Sequence, residues 1–306
     1  MKENVVLLGT NQNLVGVVTE PDQTPAANMP AVILFNAGLT HRVGPNRIYV
    51  KLARYLTEKG MVVLRFDLSG VGDSSVRTDV TSMEAGVMDD AKHVMDYLER
   101  TRGTKQFFLM GHCGGALTSL GIATIDPRVI GIVMINAEGG DTQWDEYDRK
   151  RKLSAYYENY YGRGALTSSE KWKKVLTGKA SYGSILRNIF VNILWHRISA
   201  TFFKLKKTLF AKPEALTRPE VAALFANIPS LVERKTQILI IYSQGSSGLE
   251  RTQLLLRDVR KKIGDSPRFK LEVMPRCDHT FTMIDSQQRL YHMIADWCFA
   301  NKPTTT

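Results

Sequence analysis

Cysteine is scarce. Only Cys113, Cys277 and Cys298 occur in 306 residues, an odd number with no close pair. That excludes a disulfide framework and points to a reducing compartment, with the cytoplasm as the expected location. No Cys-x-x-Cys or His-Glu-x-x-His spacing occurs, so neither a metal nor a cofactor is expected. Uninterrupted apolar runs of about 18 residues are missing too, which argues against a spanning helix. The apolar run Val5–Leu8 is too short for the core of a signal peptide. Apolar residues make up 43% of the chain and charged residues 23%. That is the balance of a folded globular chain, not of a disordered one.

Acidic residues are rare in one stretch. Between Arg149 and Lys212, fifteen Arg or Lys residues stand against Glu158 and Glu170, an excess larger than the formal net charge of the whole chain, +11. A localised basic surface suits an anionic partner: the phosphates of coenzyme A, an acidic acyl carrier protein, or a membrane surface. No nucleic-acid reading motif accompanies it, so nucleic acid is not an expected partner.

Strand and helix signals alternate over the first 140 residues. Val5–Leu8 and Leu14–Thr19 read as short strands about a polar turn. Ala31–Phe35, Met61–Phe66, Phe107–Met110 and Val129–Ile135 are runs suited to buried parallel strands. Helical stripes cover Asn46–Lys59, a segment running to Leu98 that opens on a capping box of Thr81 and Glu84, and Gly115–Ile125. From Asp141 to Ser230 the strand signal stops. It resumes at Gln237–Tyr242, then come a helix over Leu249–Ile263, an alternating edge-type strand at Phe269–Val273 and a last helix over Ile284–Phe299. The expected organisation is a core of 1–140 and 231–306 with a helical basic cap, 141–230. Alternation of this kind implies a parallel sheet with right-handed crossovers.

The strand Phe107–Met110 runs into Gly111-His112-Cys113-Gly114-Gly115 and then a helix. A nucleophile between small residues at minus two and plus two is the pattern of a strained strand–turn–helix elbow. A thiol at a helix N-terminus facing a histidine can be held as thiolate, so Cys113 is the candidate nucleophile. His279, in the loop after the last strand, is in place to be its base. Neighbouring Cys277 and Asp278 read as loop packing and turn chemistry. The loop after Gln237–Tyr242, where the acid of a triad is expected, contains no Asp. Glu250 is the nearest carboxylate, Glu138 and Asp141 after the preceding strand are alternatives, and a Cys–His pair can also act without a third member. Oxyanion donors are expected from the Gly114 amide and from Leu39 or Gly38 in the loop Asn36–Thr40. The glycine-rich turn Asp67–Ser74 lacks the residues of a phosphate loop and reads as structural.

Asp67-x-x-Gly-x-Gly-x-Ser74, the Gly-x-Cys-x-Gly elbow and the late Asp278-His279 resemble the α/β-hydrolase superfamily. Longer strings are similar to the exosortase-A-system-associated hydrolase, type 1, over nearly the whole chain. They are His41-Arg42-Val43-Gly44, Arg65-Phe66-Asp67, Tyr156-Tyr157, Trp172-Lys173-Lys174-Val175-Leu176 and Asp278-His279-Thr280-Phe281. The resemblance implies an α/β-hydrolase fold, a mostly parallel central sheet flanked by helices with a helical cap inserted. It also implies an Asp soon after the seventh strand, where this chain has Ser246 or Ser247. The elbow is further similar to that of polyester synthases, which transfer acyl groups from coenzyme A.

The resulting expectation is acyl transfer through an acyl-Cys113 intermediate, by a thioesterase or esterase acting on a small-molecule acyl substrate. An acyltransferase and a non-catalytic binding module on the same fold are the alternatives. In the cap, an apolar stripe at helical spacing that includes Trp195 and Phe202, interleaved with Lys204, Lys206 and Lys207, is the expected substrate-binding surface.

Overall fold

A computed structural model describes residues 1–137 and 219–303, except 24, 26, 27, 78, 80, 81, 245 and 247. Met1–Gly139 and Pro219–Thr306 form one compact unit. Its strands are β1 Lys2–Leu8, β2 Leu14–Glu20, β3 Ala31–Phe35, β4 Val63–Phe66, β5 Phe107–His112, β6 Val129–Ile135, β7 Gln237–Ser243 and β8 Phe269–Met274. The helices are α1 Ile48–Glu58, α2 Met83–Arg102, α3 Gly114–Ile125, α4 Pro219–Ala226, α5 Ile228–Glu233, α6 Gly248–Ile263 and α7 Ile284–Ala300. One eight-stranded sheet has the order β1-β2-β4-β3-β5-β6-β7-β8. The pairings of β2 with β1 and with β4 are antiparallel, and the rest are parallel. This is the α/β-hydrolase fold.

The apolar runs of β3, β5, β6 and β7 follow from their central places. Ile33, Phe35, Leu109 and Ile240 pack on one face with helices α2 to α6, while Val32, Leu34, Met110 and Ile241 pack on the other with α1 and α7. Strand β8 alternates because it forms the edge. Residues 219–230, assigned to the cap from sequence, belong instead with the core: Val221, Phe225 and Ile228 are buried against it. They look like cap in the sequence because the strand signal returns only at Gln237. Residues 141–218 of the expected cap lie outside the described residues.

Two helix starts differ from expectation. Ser82, extended at φ −151°, caps α2 by accepting from the Ala85 amide at 3.1 Å, a role expected of Thr81, which lies outside the described residues. A Ser beside a Thr offers an equivalent oxygen one residue later, and the backbone decides between them. Ahead of α1, a short 3-10 turn spans Pro45–Arg47, and Asn46 and Arg47 are left-handed, so the regular helix starts at Ile48.

The register brings the strand ends level. Phe35 lies beside Gly111, Gly111 beside Met134, Met134 beside Ile240 and Ile240 beside Leu271. The loops after β3, β5, β6, β7 and β8 therefore leave one edge of the sheet side by side, the edge where open α/β sheets carry their sites. Among the described residues no helix is long and apolar enough to cross a membrane.

Candidate active site

The elbow is built by exclusion. Cys113 has φ 56° and ψ −117°, a conformation a non-glycine residue holds only when its surroundings impose it. A Cβ on Gly111 would lie 2.1 Å from the Gly115 carbonyl group, and one on Gly115 would lie 2.5 Å from the Asn36 oxygen. Neither position has room for a side chain, so the two glycines close the turn. The Cys113 amide donates to Ile135 at 2.9 Å, pinning the elbow to the end of β6. Cys113 is the N-cap residue of α3, so it stands at the positive end of the helix dipole. The other two thiols are both raised in pKa. Cys298 is fully buried and its thiol is pushed up in pKa by burial. The Cys277 thiol is raised by burial as well, and it donates to the Met274 carbonyl.

The loop after β3 lies against the elbow. A Cβ on Gly114 would be 3.6 Å from the nitrogen and Cα of Gly38, so the backbones bearing the two expected oxyanion donors are neighbours. Gly38 is left-handed at φ 60°, and the Leu39 side chain is 90% exposed. This loop is fixed from below by buried Asp67. Its carboxylate accepts from Asn36 Nδ2 at 3.0 Å, from the amide and guanidinium of Arg42, and from the Asp73 amide at 3.1 Å. Asn36 in turn accepts from the Leu68 amide at 2.8 Å and donates to the Thr40 carbonyl at 3.0 Å. Gly72 is needed because a Cβ there would meet the Asp67 carboxylate at 2.4 Å. The glycine-rich turn is structural, and what it supports is the donor loop.

His279 sits in a loop held by its carbonyls. The His279 oxygen accepts from His112 Nε2 at 2.7 Å and from Asn136 Nδ2 at 2.8 Å. The next oxygen, of Thr280, accepts from Asn46 Nδ2 at 3.0 Å, and that of Phe281 accepts from Gln287 Nε2 at 2.7 Å. The His112 ring meets the His279 ring edge-on at 4.6 Å, so the His279 loop packs on the residue next to Cys113. His112 is buried and its amide donates to the Tyr49 hydroxyl at 2.8 Å. Asp278 does local work. Burial raises its pKa, but hydrogen bonds from the Thr282 hydroxyl and amide and the Thr280 hydroxyl outweigh this and hold it down at about 2.

Glu250 lies in the first turn of α6, half-buried. Glu138, Asp141, Trp195, Phe202, Lys204, Lys206 and Lys207 lie outside the described residues. Four participants escape sequence reasoning: His112, Asn136, Asn46 and Gln287. One signal was available for Asn136, a buried-strand run ending on a polar residue that tolerates left-handed backbone. The other three look like ordinary loop or helix residues. Among the described residues no cluster of three or more His, Cys, Asp or Glu side chains is arranged to hold a metal.

Comparison with known proteins gives partial sequence matches and a shared fold. A family model for serine aminopeptidase S33 matches residues 28–154, which include the donor loop and the elbow. Esterase EstD of Thermotoga maritima is 28% identical over 130 residues, 41% of this chain and 31% of that protein. The lysophosphatidylserine lipase ABHD12 of Rattus norvegicus is 32% identical over 99 residues, 32% of this chain and 22% of that protein. The chain thus matches a third or less of the length of these relatives. A lidless α/β serine hydrolase from Xanthomonas campestris superposes with a TM-score of 0.56 at 15% identity, covering 100% of this chain and 98% of that one. What these matches share with the chain is the α/β-hydrolase fold, and the sequence similarity to the family model is confined to residues 28–154. The Xanthomonas protein is a serine hydrolase, whereas the elbow residue here is cysteine.

Proposed function

We propose that the chain is an acyl hydrolase, an esterase or thioesterase, that works through an acyl-cysteine intermediate. The observation that carries the reading is the left-handed Cys113 at a strand–helix elbow, against which the His279 loop is packed. The matches to an esterase and a lipase support hydrolysis as the reaction class. The resemblance to the exosortase-associated hydrolases supports the cysteine variant of that chemistry.

In this reading His279 takes the proton of the Cys113 thiol, and the thiolate adds to the acyl carbonyl carbon. The resulting oxyanion is held by the amides of Gly114 and of Gly38 or Leu39. Collapse breaks the bond to the leaving alcohol or thiol, which departs with the proton from His279. Water then attacks the thioester, gives a proton to His279 and releases the carboxylic acid, and Cys113 recovers its proton. Glu250 follows β7, the place in chain order that a triad acid occupies, and is the first choice to orient His279, with Glu138 and Asp141 after β6 next. The basic stretch that includes Lys204, Lys206 and Lys207 is the proposed recognition element for an anionic handle on the acyl donor, with Trp195 and Phe202 for its chain.

Intact mass after a brief incubation with an acyl thioester tests the mechanism. An acyl adduct on the parent protein, absent in Cys113→Ala together with turnover, is the expected result. Turnover that survives in Cys113→Ala would overturn it. His279→Ala is expected to slow turnover roughly 10²–10⁴-fold, the size of a general-base contribution. Reversing Lys204, Lys206 and Lys207 to Glu is expected to raise KM for a coenzyme A thioester and leave a small neutral ester unchanged.

A further inference from the structure

Asn136 is the residue in which three strand ends meet. It follows β6, is fully buried, and is left-handed at φ 45°. Its amide nitrogen continues the ladder by donating to Ile241 on β7 at 2.8 Å. Its side-chain oxygen accepts from the Ser243 amide at 2.7 Å and from the Ser243 hydroxyl at 3.2 Å. Its side-chain nitrogen donates to the His279 carbonyl at 2.8 Å. The orientation of the amide is settled by these partners, since the Ser243 N–H can only donate and the His279 carbonyl can only accept. One side chain therefore ties the end of β7 to the loop that follows β8.

The second lone pair of the His279 carbonyl is filled by His112 Nε2 at 2.7 Å. A carbonyl can only accept, so His112 carries its proton on that nitrogen. Two donors from β5 and β6 thus saturate one oxygen, and that oxygen belongs to the base itself. The peptide plane after His279 is fixed, and with it the direction of the bond from Cα to the imidazole. A shift of this plane would move the imidazole relative to the elbow, and misplacements near 1 Å cost rates on the order of a hundredfold.

We propose that Asn136 is a positioning residue for His279, acting jointly with His112 through the main-chain carbonyl of the base. This role rests on the reading of His279 as the base. Triads usually orient the histidine through its ring; here Asn136 and His112 add a hold on its backbone, whichever carboxylate meets the ring.

The test is the pH profile of Cys113 alkylation by iodoacetamide, followed peptide by peptide on the full chain below its melting temperature. It needs no substrate and reads how well His279 supports the thiolate. Asn136→Asp keeps shape, left-handed tolerance and the acceptor for Ser243 but replaces the donor with oxygen; Asn136→Gly keeps the backbone and removes the side chain. His112→Phe keeps a ring without the donor, and His112→Gln restores a donor at similar reach. Expected is alkylation about ten- to a hundredfold slower at neutral pH in both Asn136 variants and in His112→Phe. The profile should move toward higher pH, and His112→Gln should recover most of the rate. Variants that melt lower yet keep the parent profile would overturn the proposal and leave Asn136 a packing residue. If Asn136→Asp does not fold, His112→Phe against His112→Gln decides in the same way. An unchanged profile in His279→Ala would instead remove the base assignment, an outcome separate from failure of Asn136 alone.

Discussion

The elbow at Cys113 and the loop of His279, the proposed base loop, face the same physical task, to hold one side chain in place, and they meet it by opposite means. At the elbow the chain has no alternative, because a side chain at position 111 or 115 would enter backbone atoms. In the base loop, three successive carbonyls of residues 279–281 are tied by four side chains from α1's lead-in turn, β5, the end of β6 and α7. Steric exclusion is local and acts all at once. Polar tethering draws on residues far apart in sequence and comes apart one bond at a time.

Single substitutions should therefore fail abruptly at the elbow and by degrees in the base loop. Gly111→Ala has the largest expected effect. Its Cβ meets backbone that cannot yield, so a loss of about 3 kcal/mol or more, or no soluble protein, is expected from denaturant unfolding. Gly114→Ala, with only ordinary contact at 3.6 Å, should fold like the parent and marks the limit of the exclusion. Gln287→Leu comes next. It strands the buried Phe281 carbonyl and removes the acceptor for Lys51 Nζ at 2.7 Å, and should cost about 1–3 kcal/mol in the same measurement. Asn46→Gly keeps the left-handed backbone and deletes one exposed bond to Thr280. Less than about 1 kcal/mol is expected, and a larger loss would mean that the tethers act as a unit.

A further effect depends on pH. Asp278 is held at about 2 in the folded chain, below the value of about 3.9 for an unperturbed Asp. Its stabilisation is complete above the unfolded value and is lost as pH falls through the folded one. Melting temperatures of the parent and Asp278→Asn should differ at pH 5 and converge toward pH 2. A constant difference across that range would show that Asp278 does not set the turn.

The same contrast explains what could be read from sequence. Five buried strands, the elbow with Cys113, and His279 after the last strand rest on periodicity and on glycine spacing, both written in neighbouring residues. Asn136, His112, Asn46 and Gln287 act on positions 143, 167, 234 and 6 residues away, and apart from the polar end of a strand at Asn136 no local pattern marks them. The start of α2 at Ser82 and the left-handed turn before α1 were missed because backbone conformation chose among equally suitable residues. The boundary near 219 was missed because α4 and α5 are short apolar helices in a stretch without strands.

The buried carboxylate of Asp67 has a consequence for how this edge of the molecule breathes. It gathers the donor loop after β3 and the glycine-rich turn after β4 onto one anchor, through Asn36, Arg42 and the Asp73 amide. Such segments cannot loosen separately, so they constitute one cooperative unit of local unfolding. In native-state hydrogen exchange the amides of Arg42, Leu68 and Asp73 should report a common opening free energy. Asp67→Asn should lower all three protections together, leaving the Gln287-tethered amides near Phe281 untouched.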